Sequence, residues 1–294
     1  MPDVREFATT VKPTWCPGCG NFGMWDALKR ALAELGWSQR EFAVVWGIGC
    51  HGNGADFLEV QGMHALHGRS LPPAAAIRLT RPDLRVIVEM GDGDGYGLGM
   101  GHFVHALRRN HDITVIVHNN QIYGLTAGQA SPTTDHLLPT VSTPDGVLEV
   151  PANPIGLALA EGATFVARGF AGDIAHLTTI YVEALQHEGL ALVDVFQPCV
   201  TWNRHNTFEW FRERVYRLDE SGWDTSDRTA AFELSRTTFH DLTCTPDSCR
   251  VPIGVYFRET GVPTYEAGVE ASREPGWKRA QAPRDVTGLI GSLT

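Results

Sequence analysis

The stretch LRVIVEMGDGDGYGLGMGHFVHALRRNHDITVIVHNN, residues 84–120, constrains the fold more than any other. It reads as an apolar run (84–90), a glycine-rich loop (91–101), a helical segment and a second apolar run (113–120). Both apolar runs are continuous, which is the pattern of strands buried on both faces. Two such strands joined through a helix pair in parallel by a right-handed crossover. The alternation spans about residues 40–199. FAVVWGIG (42–49) is a buried strand ending in a glycine turn, and PPAAAIRLT (72–80) is a helix opened by proline. PIGLALAEG is a short helix, TFVARG a strand, 171–189 a helix, and LALVDVFQPC (190–199) a further strand. Residues 124–152, rich in Thr, Pro, Gly and Ser, read as a long loop.

The expected fold is therefore α/β, a mostly parallel sheet with helices on both faces. Its functional loops gather at the carboxyl ends of the strands; here they follow Gly47, Met90, Val117 and Phe196. The pattern weakens beyond residue 205, which divides the chain into a main unit (1–205) and a C-terminal extension (206–294). In the extension TFEWFRERVYRL reads as helical, IGVYFRE as a strand, and EPGWKRAQAPRDVTG as an extended arm suited to wrapping a partner.

Charge excludes some functions. The chain carries 24 basic and 34 acidic side chains, a net charge of −10, which argues against a nucleic-acid surface. No apolar run approaches the ~18 residues of a membrane span, and the N-terminal MPDVREFATTVKP lacks an apolar signal core. A cytoplasmic location is expected. There the six cysteines serve as ligands or buried thiols rather than disulfides.

WCPGCGNFG (15–23) is a metal-binding knuckle, with the Cys16 and Cys19 thiols on one tight turn. The turn alone leaves zinc and iron–sulfur both open. Asn21 is placed to cap a helix over 22–35, with Trp25, Leu28, Leu32 and Leu35 on one face and Gly36 at its end.

The GDGDG loop carries the sharper signal. Asn120 of NNQIYG follows Asp92 by 28 residues, a spacing of one helix and one strand that brings both to the same sheet edge. Carboxylate and amide oxygens suit Mg²⁺, with diphosphate oxygens completing its shell. The glycines let backbone N–H groups approach phosphates at a helix start. The dinucleotide pattern G-x-G-x-x-G with a following acidic residue is missing, as is the P-loop G-K-[ST].

GDG followed by NN at this spacing resembles the diphosphate motif of thiamine-diphosphate enzymes. Together WCPGCGNFG, GIGC, HALHGRSLP, GDGDG, NNQIYGLTAGQASPTT and PCVTWN resemble, over about residues 12–206, the β subunit of a 2-oxoacid:ferredoxin oxidoreductase. The 2-oxoglutarate branch is the most similar. The resemblance implies the diphosphate-binding domain fold of thiamine-diphosphate enzymes. It implies a 4Fe–4S cluster on Cys16, Cys19, Cys50 and Cys199, and Mg²⁺ held by Asp92, Asn120 and the carbonyl of Ile122. Cys50, His67, Gly91, Gly93, Asp94, Tyr123, Gly124, Leu125 and Thr126 would bind cofactor. His67 and Arg69 would reach phosphate or substrate.

The implied activity is oxidative decarboxylation of a 2-oxoacid with coenzyme A to acyl-CoA and CO₂. Electrons pass to ferredoxin, and the reaction is reversible for CO₂ fixation. The implied partner is an α subunit in an (αβ)₂ heterotetramer, without which this chain is inactive. One departure concerns substrate choice: GIGC is followed by HGNGADF, with His51 and Asn53 where many relatives carry a basic residue. Pyruvate or another 2-oxoacid is the alternative substrate. Two other readings are a non-enzymatic scaffold with structural zinc and a non-redox thiamine-diphosphate decarboxylase or synthase. Cys244 and Cys249 read as structural or incidental, and His102, His105 and His118 as ordinary helix and strand residues.

Overall fold

Eight strands form one sheet in the order β2-β1-β3-β4-β6-β5-β8-β7 in the computed structural model, which describes residues 2–237 and 245–272. The central strands are β1 (Phe42–Trp46), β3 (Arg85–Gly91), β4 (Thr114–Asn119), β5 (Phe165–Phe170) and β6 (Ala191–Phe196). All of them pair in parallel, as continuous apolar runs joined through helices require.

Successive residues face opposite sides, so each strand feeds two cores. On one face Ile87, Ile116 and Val193 pack with Leu28 and Leu32 of α1 (Asn21–Glu34) and with Leu177 and Tyr181 of α5 (Ile174–Gln186). On the other, Val88, Val115 and Leu192 meet Ala74 of α2 (Leu71–Thr80), Phe103 and Leu107 of α3 (Met100–Arg109) and Ile155 of α4 (Pro154–Ala160).

The C-terminal segment joins this sheet. It contributes α6 (Phe208–Arg214), β7 (Val215–Arg217), α7 (Arg228–Ser235), β8 (Val251–Arg258) and α8 (Tyr265–Ser272). β8 lies antiparallel to β5 and parallel to β7. Phe211 stacks on Phe196 at 4.7 Å between ring centroids, in a small core with Phe170, Val251 and Ile253. The expected extended arm and Cys244 lie outside the described residues.

Four local expectations are corrected. Asn21 does not cap α1 from outside; it is the first helical residue, fully buried, with Oδ1 2.9 Å from His118 Nδ1. The glycine-rich stretch is not an open loop: Gly93–Leu98 winds as one wide π-type turn leading into α3. A short strand, β2 (Gln61–His64), pairs with β1 where none is expected, because its exposed residues carry no burial pattern. Cys249 is disulfide-bonded, against the reading of all six cysteines as ligands or buried thiols.

The strands' carboxyl ends are in register, Gly91 opposite His118 and Asn119 opposite Phe196. The loops that follow β3, β4 and β6 therefore start side by side. The helical layer that holds this edge flat is testable: Leu32 is wholly buried between α1 and the sheet. Leu32→Ala should lower stability by about 2–5 kcal/mol in urea denaturation; a loss under about 1 kcal/mol would contradict this packing.

Candidate active site at the carboxyl edge of the sheet

Two buried carboxylates floor the site. Asp92 directly follows β3, and its Oδ2 accepts hydrogen bonds from Ser131 Oγ (2.5 Å) and Thr133 Oγ1 (2.6 Å). Burial raises its pKa to about 6, although both hydroxyls favour the charged form. Asp94 lies two residues on, within the wide turn. Its Oδ1 accepts from the Gly68 N–H (2.7 Å), the Ile48 N–H (3.2 Å) and His67 Nδ1 (2.6 Å). Its Oδ2 is buried without a partner, and burial pushes its pKa up as well. Glycine is required around this acid: a Cβ on Gly47 would overlap the Asp94 carboxylate, and one on Gly93 would overlap the Tyr123 ring. The Tyr123 hydroxyl donates to the Gly93 carbonyl (3.0 Å).

The two consecutive asparagines divide their work. Asn119 faces inward, with Nδ2 donating to Asp194 (3.0 Å) and Oδ1 2.9 Å from Thr133 Oγ1. Asn120 turns the other way. Its Oδ1 accepts from the Ile122 N–H (3.0 Å), its Nδ2 lies 3.3 Å from Gln197 Oε1, and its carbonyl accepts from Asn203 (3.1 Å).

Beyond Asn120 all four core cysteines line one cavity of about 220 Å³, with Trp15, Gly124, Leu125, Gln197 and Trp202. Cys16 is exposed, Cys19 and Cys50 half-buried and Cys199 buried; all four are free. The knuckle is closed by a Cys19 N–H to Cys16 carbonyl bond (2.9 Å) and tied to β6 by the Gly20 N–H on the Pro198 carbonyl (3.1 Å). Gln197 Nε2 lies 3.4 Å from Cys19 Sγ, and Trp15 Nε1 donates to the Cys50 carbonyl (2.6 Å). Burial first, then the neighbouring thiols, pushes Cys19 up to about 12 and Cys50 to about 11. Such a set becomes thiolate only when a metal supplies the positive charge. Among the described residues no three His, Cys, Asp or Glu side chains converge closely enough to hold a single ion.

The site residues named from the sequence thus fall into two adjoining pockets. Asp92, Gly93, Asp94, His67 and Tyr123 share the carboxylate cradle. Cys16, Cys19, Cys50, Cys199, Gly124, Leu125 and Asn120 share the thiol cavity, and the step from Tyr123 to Gly124 joins the two. Arg69 is not brought in, since its guanidinium donates to His102 Nε2 (2.6 Å) on α3. Thr126 bonds Gln129 within its own loop.

Residues 41–195 match the C-terminal TPP-binding domain of thiamine pyrophosphate enzymes. Residues 199–274 match the C-terminal region of the pyruvate ferredoxin oxidoreductase β subunit. A 2-oxoacid:ferredoxin oxidoreductase subunit β from Saccharolobus solfataricus is 44% identical over 283 residues, covering 95% of this chain and 92% of the relative. The chain belongs to the β subunits of the 2-oxoacid:ferredoxin oxidoreductases. A 2-oxoglutarate oxidoreductase subunit KorB from Mycobacterium tuberculosis is 42% identical over 199 residues, 68% of this chain and 53% of that one. The 2-oxoglutarate:ferredoxin oxidoreductase of Magnetococcus marinus, solved with 2-oxoglutarate, coenzyme A and succinyl-CoA, superimposes with a TM-score of 0.87. It is 37% identical and covers 100% of this chain and 96% of that one. Membership in this oxidoreductase family replaces the scaffold and non-redox readings.

Sequence reasoning missed several residues that shape this β subunit's site. Ser131 and Thr133 lie in the loop read only as Thr- and Ser-rich. Asp194 and Arg168 each interrupt an apolar strand, in LVDVF and FVARGF, and that interruption was the available signal of a buried pair.

Asp92 makes a pH prediction for the metal-free chain. Its folded pKa is raised, so its contribution is full below the unfolded 3.8 and lost as pH rises through about 6. Asp92→Asn should therefore be more stable than the parent at pH 8, by up to about 3 kcal/mol, and lose the advantage near pH 4. Equal differences at both pH values in chemical denaturation would contradict the burial assigned to this acid.

Proposed function

We propose that this chain, paired with an α subunit, oxidatively decarboxylates 2-oxoglutarate with coenzyme A to succinyl-CoA and CO₂ and passes the electrons to ferredoxin. The observation that carries this reading is the contact of the two pockets. Four free thiols line a cavity whose wall includes Gly124, the neighbour in the chain of Tyr123, which donates to the Gly93 carbonyl in the carboxylate cradle.

The residues fit the implied groups. Asp94 Oδ2 is buried and unpartnered, an acceptor still to be satisfied, and Gly47 and Gly93 let the Asp94 carboxylate and the Tyr123 ring pack directly on the backbone of the cradle. Asp92, the Asn120 side chain and the Ile122 carbonyl would hold Mg²⁺. A dication there would keep Asp92 ionised despite its burial. Gly91, Gly93, Asp94 and Tyr123 would flank the diphosphate, with Gly124, Leu125 and Thr126 closing toward the thiols. Cys16, Cys19, Cys50 and Cys199 would hold a 4Fe–4S cluster. A tetrahedral zinc with bonds of about 2.3 Å needs its sulfurs less than about 4 Å apart. Their distribution around a cavity, with no single-ion convergence among the described residues, suits a larger cluster.

Thiamine diphosphate, when bound, supplies the electron sink for breaking the carbon–carbon bond, and the cluster supplies one-electron transfer. The chain's own residues orient and shield. Asp94 holds His67 through Nδ1, leaving the other ring nitrogen for phosphate or substrate. Arg69 would reach the substrate only by leaving His102. Trp15, Leu125 and Trp202 would limit water at the thiol cavity.

The names of the Mycobacterium and Magnetococcus relatives support 2-oxoglutarate. Pyruvate is the second reading, supported by the match of residues 199–274 to a pyruvate enzyme's β subunit. We further propose an (αβ)₂ heterotetramer, reversibility for CO₂ fixation and a cytoplasmic location. Among the described residues no helix is long and apolar enough to cross a membrane.

Replacing Cys16, Cys19, Cys50 or Cys199 by Ala should abolish the cluster's visible absorbance in anaerobically purified complex, whereas Cys249→Ala should leave it. An intact cluster in Cys199→Ala would remove that residue from the ligand set. Asp92→Ala should weaken thiamine diphosphate binding at least ~10-fold by calorimetry with the cluster retained; unchanged affinity would contradict its role. Turnover of 2-oxoglutarate by this polypeptide without an α subunit would overturn the proposed division of labour.

A further inference from the structure

The diphosphate cradle rests on a buried polar chain that reaches across three strands. Asp194 of β6 is completely buried and sits beside Arg168 of β5, itself buried, with Arg168 Nε 3.2 Å from Asp194 Oδ2. On its other side Asp194 Oδ1 accepts from the Tyr96 hydroxyl (2.9 Å) and from Asn119 Nδ2 (3.0 Å). Tyr96 belongs to the wide turn Gly93–Leu98 that carries Asp94. Burial and the Asp194 charge raise the Tyr96 pKa well above its ordinary value, so the phenol stays a neutral donor. Asn119 Oδ1 then lies 2.9 Å from Thr133 Oγ1, and the same hydroxyl lies 2.6 Å from Asp92 Oδ2.

We infer that Asp194 is a positioning residue for the metal-diphosphate site, acting on Asp92 through Asn119 and Thr133. The inference rests on the thiamine-diphosphate reading and adds residues to it. Chemistry gives the chain its direction. An ionised carboxylate only accepts, so it fixes the Asn119 amide with its NH₂ toward β6 and its oxygen toward Thr133. Thr133 has one proton to give, and Asn119 Oδ1 (2.9 Å) and Asp92 Oδ2 (2.6 Å) share it as a three-centre bond. Ser131 Oγ reaches the same Asp92 oxygen at 2.5 Å, so the two hydroxyls together fix the face that Asp92 turns to a cation. The same arrangement commits both ends of the Asn119 amide to the framework and leaves Asn120, whose Oδ1 accepts only from the Ile122 N–H and keeps a second lone pair, as the asparagine that can take a ligand. A second consequence concerns the turn: with Tyr96 tied to Asp194, the Asp94 backbone is fixed relative to Asp92. Orienting contacts behind a ligand set typically change metal affinity by about 10–100-fold when removed.

The structural alternative is that Asp194 merely neutralises Arg168 and secures β5 to β6. Asp194→Asn alone would not separate the two, since it leaves a buried guanidinium without its charge partner and endangers folding. Two sets of variants do separate them. In the first, Thr133→Val cuts the chain at its hydroxyl without touching the ion pair, and Thr133→Ser restores that hydroxyl. In the second, Asp194→Leu is combined with Arg168→Met, which removes both buried charges together and leaves Asn119 without its acceptor.

The experiment titrates Mg²⁺ into the complex of this chain with its α subunit in the presence of thiamine diphosphate. Cofactor binding is followed by calorimetry and the melting temperature is recorded in parallel. The inference expects about a 10–100-fold rise in the Mg²⁺ concentration for half-saturation in Thr133→Val and in the double variant. The Thr133→Ser variant should titrate like the parent. Thr133→Val should melt within a few degrees of the parent, so that the loss is one of affinity rather than of fold. Parent-like Mg²⁺ dependence in Thr133→Val and in the double variant, with binding intact in the parent, overturns the positioning role and leaves the thiamine-diphosphate reading standing. Absence of Mg²⁺-dependent thiamine diphosphate binding in the parent complex overturns both.

Discussion

Three parallel strands that end together make the rest of this protein possible. β3, β4 and β6 are neighbours in register, so the chain leaves them at Asp92, Asn120 and Gln197 on one edge. Parallel pairing follows from continuous apolar strands connected through helices, and it collects unlike chemistry in one place without a dedicated scaffold. Carboxylates come from the first strand end, amides from the second and a thiol from the third. The knuckle at Cys16 and Cys19 is pinned to the third by the Gly20 and Gln197 contacts. Every polar group delivered there is paid for by the two apolar layers that hold the sheet.

Burial sets the electrostatic character of that edge. Asp92 and Asp94 are both pushed toward their neutral forms, and Cys19 and Cys50 are pushed far from thiolate. Among the described residues no lysine relieves any of these shifts. A divalent cation beside the acids and an iron–sulfur core among the thiols would each reverse the penalty. The two pockets therefore ask for positive charge, in a chain whose overall charge is −10. The step from Tyr123 to Gly124 keeps them apart by little more than a loop. A Cβ on Gly124 would sit 3.5 Å from Cys199 Sγ and 3.7 Å from Cys50 Sγ.

Much of this was legible from residue patterns. Continuous apolar strands gave the parallel sheet, and the 28-residue step from Asp92 to Asn120 gave the shared edge. Other features were hidden for physical reasons. β2 is short and exposed, so no burial periodicity marks it. The GDGDG stretch winds as a helix although glycine disfavours one; Tyr96, tied to Asp194, holds the turn. Arg69 sits near His67 in sequence, yet one approaches Asp94 and the other a helix histidine, because the intervening Gly68 adopts φ +71° and redirects the chain. Ser131 and Thr133 gain meaning only when the loop after Asn120 folds back over Asp92.

On the proposed function, substrate chemistry at the carboxylate cradle would be coupled to an electron acceptor at the thiol cavity. The direct measurement is the visible absorbance of the anaerobically purified complex with its α subunit, before and after adding 2-oxoglutarate and coenzyme A. A brown protein with about four iron atoms and four sulfides per chain is expected, its absorbance bleaching on substrate addition and returning with oxidised ferredoxin. A colourless protein holding one zinc, or an iron absorbance that substrate leaves unchanged, would contradict it.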